Sequence, residues 1–294
     1  MKRLAQGMLR LLPDAAYVRL LYLKSHGRWP DLRRPRTFDE KLQWYKLHYR
    51  DLLMTTLTDK YAVRGWLESE GHGHLLNELY GVYDRPEEID PDSLPERFVI
   101  KATHGSSMNI ICRHKRGLNW DACCSLMRRW LRSDYYRSGR QWAYKGIRPR
   151  LVCEKYLENE EFGELLDYKF YCYGGKPEVL WVCSGRYGDR GLAYNAYDMD
   201  WNRIHVFKGR PAGELAIEKP ENYGAMVATA RELCGNFPFI RVDLFSVSGK
   251  LVFGEFTFYP DSGTVPFTPP HFNAFFGDLF ILPDAGHRPP PRRR

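Results

Sequence analysis

The chain has 294 residues, 44% of them hydrophobic and 15% aromatic, which is enough to bury the core of one large domain or two small ones. Its formal charge of +8 is carried by the ends: nine Lys/Arg stand against two Asp in residues 1–36, and four Arg against one Asp in residues 284–294. The body between is slightly acidic, which argues against a nucleic-acid-binding domain, whose basic residues would lie on the folded face. Basic ends beside apolar residues fit an anionic membrane surface better.

Residues 4–25 carry apolar side chains at helical spacing, and Pro13-Asp14 divides them into two helices with the proline in the first turn of the second. Arg10, Asp14 and Arg19 interrupt the apolar run, so it lacks the core of a signal peptide. Either these helices pack on the body or they lie on a membrane surface. Thr37, three residues before Glu40, is a capping-box signature that starts a helix over 37–50. A second helix is expected over about 58–70. From Arg97 the pattern turns to strands, at 98–101 and 109–112, followed by a helix over 119–133. Strands resume at 151–156, 166–173, 179–182 and 203–207, then a helix over 220–235 and a hairpin over 239–258. The tail from Gly286 to Arg294, with three prolines and four arginines, is expected to be disordered. Seven cysteines without CxxC spacing read as reduced, buried thiols of a cytoplasmic protein. No apolar run approaches the roughly 20 residues needed to span a bilayer.

Several constellations carry chemistry. Lys101 ends a strand-like run and precedes Thr103-His104-Gly105-Ser106-Ser107. Such a loop can offer backbone N–H groups to phosphate, although an ordinary hairpin turn explains it equally. Val152–Leu157 is apolar and then turns acidic, with Glu158, Glu160 and Glu161 following. It could offer backbone groups to an adenine and carboxylates to a ribose, or simply be a strand end with a solvated loop. Lys169 sits in a strand otherwise full of aromatics. A buried cation needs a partner, so it faces either a phosphate or the solvent beside an edge strand. Asp198-Met-Asp200 matches a DxD pattern used by glycosyltransferases, and a β-turn accounts for it as well. The histidines are too dispersed to form a metal cluster.

Asp243 and Glu255 are the most informative pair. They lie on the two β-rich halves of a hairpin whose Ser246–Lys250 link contains Gly249. Two-residue alternation puts Arg241 with Asp243, and Glu255 with Thr257, on one face. Two converging carboxylates suit Mg²⁺, usually held by one or two carboxylates plus nucleotide phosphates. A salt-bridged, solvated face is the alternative, but the flanking Val252, Phe253, Phe256 and Phe258 indicate a covered hairpin.

Taken in order, Thr37–Leu47, Asp59–Arg64, Phe98–Ser107, Glu154–Leu157, Asp167–Phe170, Arg241–Leu244 and Gly254–Pro260 resemble the ATP-grasp superfamily, and within it the teichuronopeptide-biosynthesis (TupA-like) family. The resemblance spans about residues 12–283. It implies an α+β ATP-grasp fold, with two α+β lobes whose antiparallel sheets grip ATP, preceded by N-terminal helices. The implied organisation is a basic helical segment over 1–57, an ATP-grasp domain over 58–283 and a disordered basic tail over 284–294. Within the domain, about 97–157 would form the nucleotide-gripping lobe and about 158–283 the metal-binding lobe.

The resemblance also implies roles. Lys60 and Lys101 would contact ATP phosphates, with Thr103, Gly105, Ser106 and Ser107 in a flexible loop closing over them. Glu154, Lys155, Tyr156 and Leu157 would form the adenine hinge. Lys169 would face the phosphates too, and Arg241 would stabilise the transferring phosphoryl group. Asp243 and Glu255 would hold Mg²⁺, with Thr257 where the wider superfamily has Asn. The implied activity is an ATP- and Mg²⁺-dependent carboxylate–amine ligase acting through an acyl-phosphate on a cell-surface glycan or its precursor. Its partners would be a carboxylate substrate and an amine, with no nucleic acid. It would be cytoplasmic, with the basic ends available to the inner membrane face. A glycosyltransferase using Asp198 and Asp200, a glycan kinase and a non-catalytic membrane-surface protein stay open as alternatives.

Overall fold

The computed structural model describes residues 11–158, 165–185, 192–209 and 217–284. Lys2, Arg3, Arg10, Glu160, Glu161 and the tail from Gly286 lie outside the described residues. The chain divides into two compact units, one of residues 52–136 and 143–158, the other of residues 1–51, 137–142 and 159–294.

The first unit is built on a four-stranded antiparallel sheet of β1 (Leu79–Tyr83), β2 (Phe98–Ala102), β3 (Asn109–Cys112) and β4 (Leu151–Lys155), in the order β1-β4-β2-β3. Alternation in β2 buries Phe98, Ile100 and Ala102 on one face. They pack with Leu151 and Cys153 against Cys123, Met127 and Trp130 of the Trp120–Leu131 helix. Asn119 caps that helix through a bond from the Ala122 N–H. The single helix expected over 58–70 is two, Leu52–Thr58 and Ala62–Ser69. Asp59 interrupts them and turns its carboxylate onto the N–H groups of Tyr61 and Ala62.

The second unit is built on a six-stranded antiparallel sheet. Its strands are β5 (Asp167–Tyr173), β6 (Lys176–Ser184), β7 (Ala193–Tyr197), β8 (Arg203–Ile204), β10 (Phe239–Val247) and β11 (Lys250–Thr257), in the order β11-β10-β5-β6-β7-β8. A two-stranded pair joins β9 (Phe207–Lys208) to β12 (Phe267–Thr268). The β10–β11 hairpin is tighter than its sequence suggests. Only Ser248 and Gly249 link the strands, both with positive φ, as a two-residue turn between right-twisted strands requires. One residue is extra: Asp243 pairs with Glu255 but Leu244 pairs with Phe253, so Gly254 bulges.

The Phe38–His48 helix opens with the capping box read from Thr37 and Glu40. It buries Phe38 among the rings of Tyr171, Tyr173, Phe239, Phe267 and Phe280, with centroids 5.1–6.2 Å away. Much of the aromatic content is thus core. The sequence pattern does not foretell the His271–Leu279 helix, which packs on the helix opened by Phe38. Lys41 Nζ donates to the carbonyls of Gly277 and Phe280, satisfying the end of that helix. Gly277 lies so close that an added Cβ would sit 2.2 Å from the Arg36 carbonyl oxygen. All seven cysteines are reduced and buried.

Gly277→Ala should therefore destabilise the fold by about 1–3 kcal/mol, the usual cost of overpacking. A thermal or urea melt measures this, and an unchanged midpoint would mean the two helices can part without cost.

Candidate functional site

The six-stranded sheet brings Lys169, Asp243 and Glu255 into one row. Asp243 in β10 is in direct register with Lys169 in β5 on one side and Glu255 in β11 on the other. Tyr171, Arg241 and Thr257 form the next row on the same face. Hydrogen bonds close the group. Arg241 donates from Nε to Asp243 Oδ1 at 2.6 Å, and from Nη2 to Asp243 Oδ2 at 2.7 Å and Glu255 Oε1 at 3.0 Å. Lys169 Nζ lies 2.5 Å from Asp243 Oδ2 and 2.6 Å from Asp167 Oδ2. Thr257 donates its hydroxyl to Glu255 Oε1 at 3.3 Å.

Lys169 therefore faces charged partners on an interior strand, not solvent beside an edge. Burial alone would push its pKa down, but Asp167 and Asp243 outweigh that and raise it, so the ammonium persists. Burial likewise works against the Arg241 charge, and Asp243 and Glu255 more than compensate. Burial pushes the Asp243 carboxyl up against the pull of Arg241 and Lys169. Asp167 belongs to the group too, although its sequence motif gave it no role.

The donor set fits a hard divalent cation. Asp243 and Glu255 already converge on one cationic nitrogen, the Arg241 Nη2, and Thr257 adds a hydroxyl. Among the described residues there is no group of three or more His, Cys, Asp or Glu placed to hold a metal. A cation here would thus take its remaining ligands from phosphate or water, the usual pattern for Mg²⁺. Glu255 is the reachable member: its side chain is 35% exposed, against 2% for Asp243.

The four-stranded sheet holds a second set. Lys101 Nζ donates to Glu154 Oε2 at 2.6 Å, and Arg64 Nη1 donates to Glu154 Oε1 at 3.3 Å. Lys60 Nζ donates to the Gly105 carbonyl at 2.7 Å, and its N–H bonds the Thr103 carbonyl. The loop after β2 is anchored in its first half. Thr103 and His104 are buried, with Thr103 Oγ1 held by Arg148 and Arg150 backbone groups and His104 Nε2 beside the Trp130 carbonyl. An added Cβ at Gly105 would meet Met108 Sδ at 2.7 Å. Ser106 is half-buried and Ser107 exposed, the latter at φ 60°. Past Glu154, Lys155 is exposed and Tyr156 and Leu157 are half-buried.

The Asp198-Met-Asp200 segment is a turn. Asp198 Oδ1 accepts the N–H groups of Asp200 and Asn202, and Oδ2 accepts Asn202 Nδ2. Both oxygens are thereby employed in local structure.

A third arrangement has no counterpart among the sequence motifs. The turn Pro260–Gly263, two residues past β11, holds Asp261 and Ser262 at φ 50° and 56°, a left-handed conformation costly for non-glycine residues. Two side chains from the Phe38–His48 helix impose it. Gln43 Nε2 donates to the carbonyls of Ser262 and Gly263, and Lys46 Nζ donates to the Ser262 carbonyl at 2.7 Å and its hydroxyl at 2.8 Å. Lys46 also donates to Gln43 Oε1. The residue is 1% exposed, and burial pushes its pKa down to about 7. No spacing rule links residues 216 positions apart. The only signal in the sequence is a lysine in a helical stretch rich in aromatic and apolar residues.

Residues 40–281 match the protein family described as TupA-like ATPgrasp. No curated protein matches the chain. Among solved structures, D-alanine–D-alanine ligase from Bacillus anthracis complexed with ATP is similar at 15% identity and a TM-score of 0.40, over 70% of this chain and 56% of that one. Phosphoribosylamine–glycine ligase from Thermotoga maritima is similar at 13% and 0.40, over 72% and 50%. N5-carboxyaminoimidazole ribonucleotide synthetase from Thermus thermophilus is similar at 12% and 0.39, over 83% and 51%. The chain thus spans about half the length of these proteins.

Two outcomes follow from the charges. Asp243→Asn leaves two buried cations short of a carboxylate and should cost about 3–5 kcal/mol. Glu255→Gln, at a part-exposed site, should cost under about 1 kcal/mol. Denaturant melts of the two variants test this contrast, and equal losses would refute it. For Lys46, the unfolded chain keeps its proton up to about pH 10.4, while the folded protein gives it up near 7. The unfolded state then binds more protons, so wild-type stability should rise relative to Lys46→Met between those values. A pH series of melts on both proteins reads this directly, and parallel curves would mean that Lys46 titrates normally.

Proposed function

The chain belongs to the TupA-like ATP-grasp family, and on that premise we propose that it is an ATP- and Mg²⁺-dependent carboxylate–amine ligase. The observation that carries the reading is the row Lys169–Asp243–Glu255 with Arg241 beside it. The reaction would proceed in two displacements. A substrate carboxylate oxygen attacks the γ-phosphorus, ADP leaves, and an acyl-phosphate forms on the substrate. An amine nitrogen then attacks the acyl carbon, inorganic phosphate leaves, and the amine gives up a proton. In-line phosphoryl transfer depends on positioning and positive charge more than on a protein nucleophile.

The residues fit that demand. Arg241 and Lys169 are fixed, dry cations, and Arg241 would stabilise charge on the transferring group. Asp243 and Glu255, with Thr257, would hold Mg²⁺, which when bound neutralises charge on the phosphates. Lys60 and Lys101 would contact phosphate oxygens, with Thr103, Gly105, Ser106 and Ser107 as the loop over them. Glu154–Leu157 would line the adenine. Because Thr103 to Gly105 are packed, movement of that loop would fall on Ser106 and Ser107. The acid is proposed to be a uronic or amino-acid group of a bacterial surface polysaccharide or its precursor, a reading supported by the family's description alone. A cytoplasmic placement at the inner membrane face suits that substrate. No described helix is long and apolar enough to cross a membrane.

Glu255→Gln separates chemistry from folding, since it should fold normally. ADP release by the wild type should require both an acid and an amine, and the variant should lose it by at least roughly 100-fold, with its melting temperature preserved. Unchanged turnover in Glu255→Gln would remove the proposed metal site. A stable phosphorylated product formed without an amine would make the protein a kinase.

A further inference from the structure

The segment Gly27–Arg36 joins two helices, Asp14–His26 and Phe38–His48. It carries Arg28, Arg33, Arg34 and Arg36 against one acid, Asp31, and a tryptophan, Trp29. Such a run should be loose, yet carboxylates beneath it fix its backbone. Asp31 Oδ1 accepts the N–H groups of Arg33 and Arg34, each at 2.9 Å. Glu40, itself buried, accepts the Asp31 N–H and Arg28 Nη1 on one oxygen and the N–H groups of Arg36 and Thr37 on the other. Pro30 and Leu32 are buried as anchors.

What this frame displays is specific. Trp29 is 58% exposed, and Arg33, Arg34 and Arg36 are exposed with no ion pair among the described residues. Arg33, Arg34 and Arg36 have only Asp31 in the segment to offset them, so the fixed segment is strongly cationic with an outward tryptophan beside the charges. An anionic bilayer suits both: lipid phosphates take the arginines, and the headgroup boundary takes the indole. A polyanion without an apolar interior would use only the arginines.

We propose that the Gly27–Arg36 segment, through Arg33, Arg34, Arg36 and Trp29, docks the protein on an anionic phospholipid surface. The frame built by Asp31 and Glu40 presents the contact residues before the lipid is met, which saves the ordering cost a disordered basic tail would incur. The proposal stands independently of the ligase reading.

Co-sedimentation of the full chain with vesicles tests it, using phosphatidylcholine alone and phosphatidylcholine with about one-third phosphatidylglycerol, at about 0.1 M salt. Binding should require phosphatidylglycerol and weaken as salt rises. The triple variant R33Q/R34Q/R36Q should lose at least about tenfold in partitioning, and Trp29→Ala several-fold, both with unchanged melting curves. No binding to the anionic vesicles overturns the proposal. So does binding that survives the triple variant, which would assign it to the basic ends. Binding abolished by polygalacturonate and indifferent to Trp29→Ala would make the segment an acidic-glycan site, and also overturns it.

Discussion

Buried charge governs the centre of the larger unit. Lys169, Arg241, Asp167 and Asp243 sit nearly dry on one face of an antiparallel sheet, and each is tolerable only because the others are there. Hydrophobic side chains of similar size would hold the sheet at least as well. Retaining the ions therefore points to a task that needs fixed positive charge in a place without water, and it makes the strand register strict. A slip of one residue between β5 and β10 would carry Lys169 to the opposite face.

Parts of this were legible in the sequence for identifiable reasons. The Thr37–Glu40 capping box is a local device, with all its partners within four residues. The Asp243–Glu255 hairpin was readable because two β-rich runs flank a short link containing Gly249, although the turn itself, Ser248 and Gly249 alone, is tighter than the Ser246–Lys250 link read from the sequence. The role of Lys169 was only half readable: a lysine among aromatics demands a partner, but the partner is fixed by a register between strands 74 residues apart. The pairing of Lys46 with Ser262 was not readable, because a lysine in an aromatic-rich helix gives no sign of which distant residue it meets. The break at Asp59 was missed because Thr58–Arg64 has helical composition, while the Asp59 side chain captures the N–H groups that would otherwise continue the helix.

Glu40 links two levels of the structure. Its two oxygens cap a helix whose first residue, Phe38, centres the aromatic core, and they also discipline a run of arginines on the surface. Core order and surface display thus share a carboxylate. The strained Pro260–Gly263 turn has the same logic, since the left-handed residues persist because Gln43 and Lys46 of the same helix over-determine them.

The bulge at Gly254 has a further meaning when β11 is regarded as a wave. Alternation along a strand has a phase, and the extra residue shifts it by half a period. Glu255 and Thr257 share the face of Asp243, yet Phe253, also odd-numbered, pairs with Leu244 and lies on the other face, its ring 4.8 Å from that of Phe256. The two ends of the strand run in antiphase, so one short sequence serves a charged face and an aromatic face without changing its rhythm. Glycine suits the crossover, since a Cβ there would sit 3.0 Å from the Asp243 carbonyl oxygen and the strand would have to give by a few tenths of an ångström. Were Gly254 drawn into the regular pleat instead, Phe253 would fall on the face of Glu255 and its phenyl ring would meet the charges.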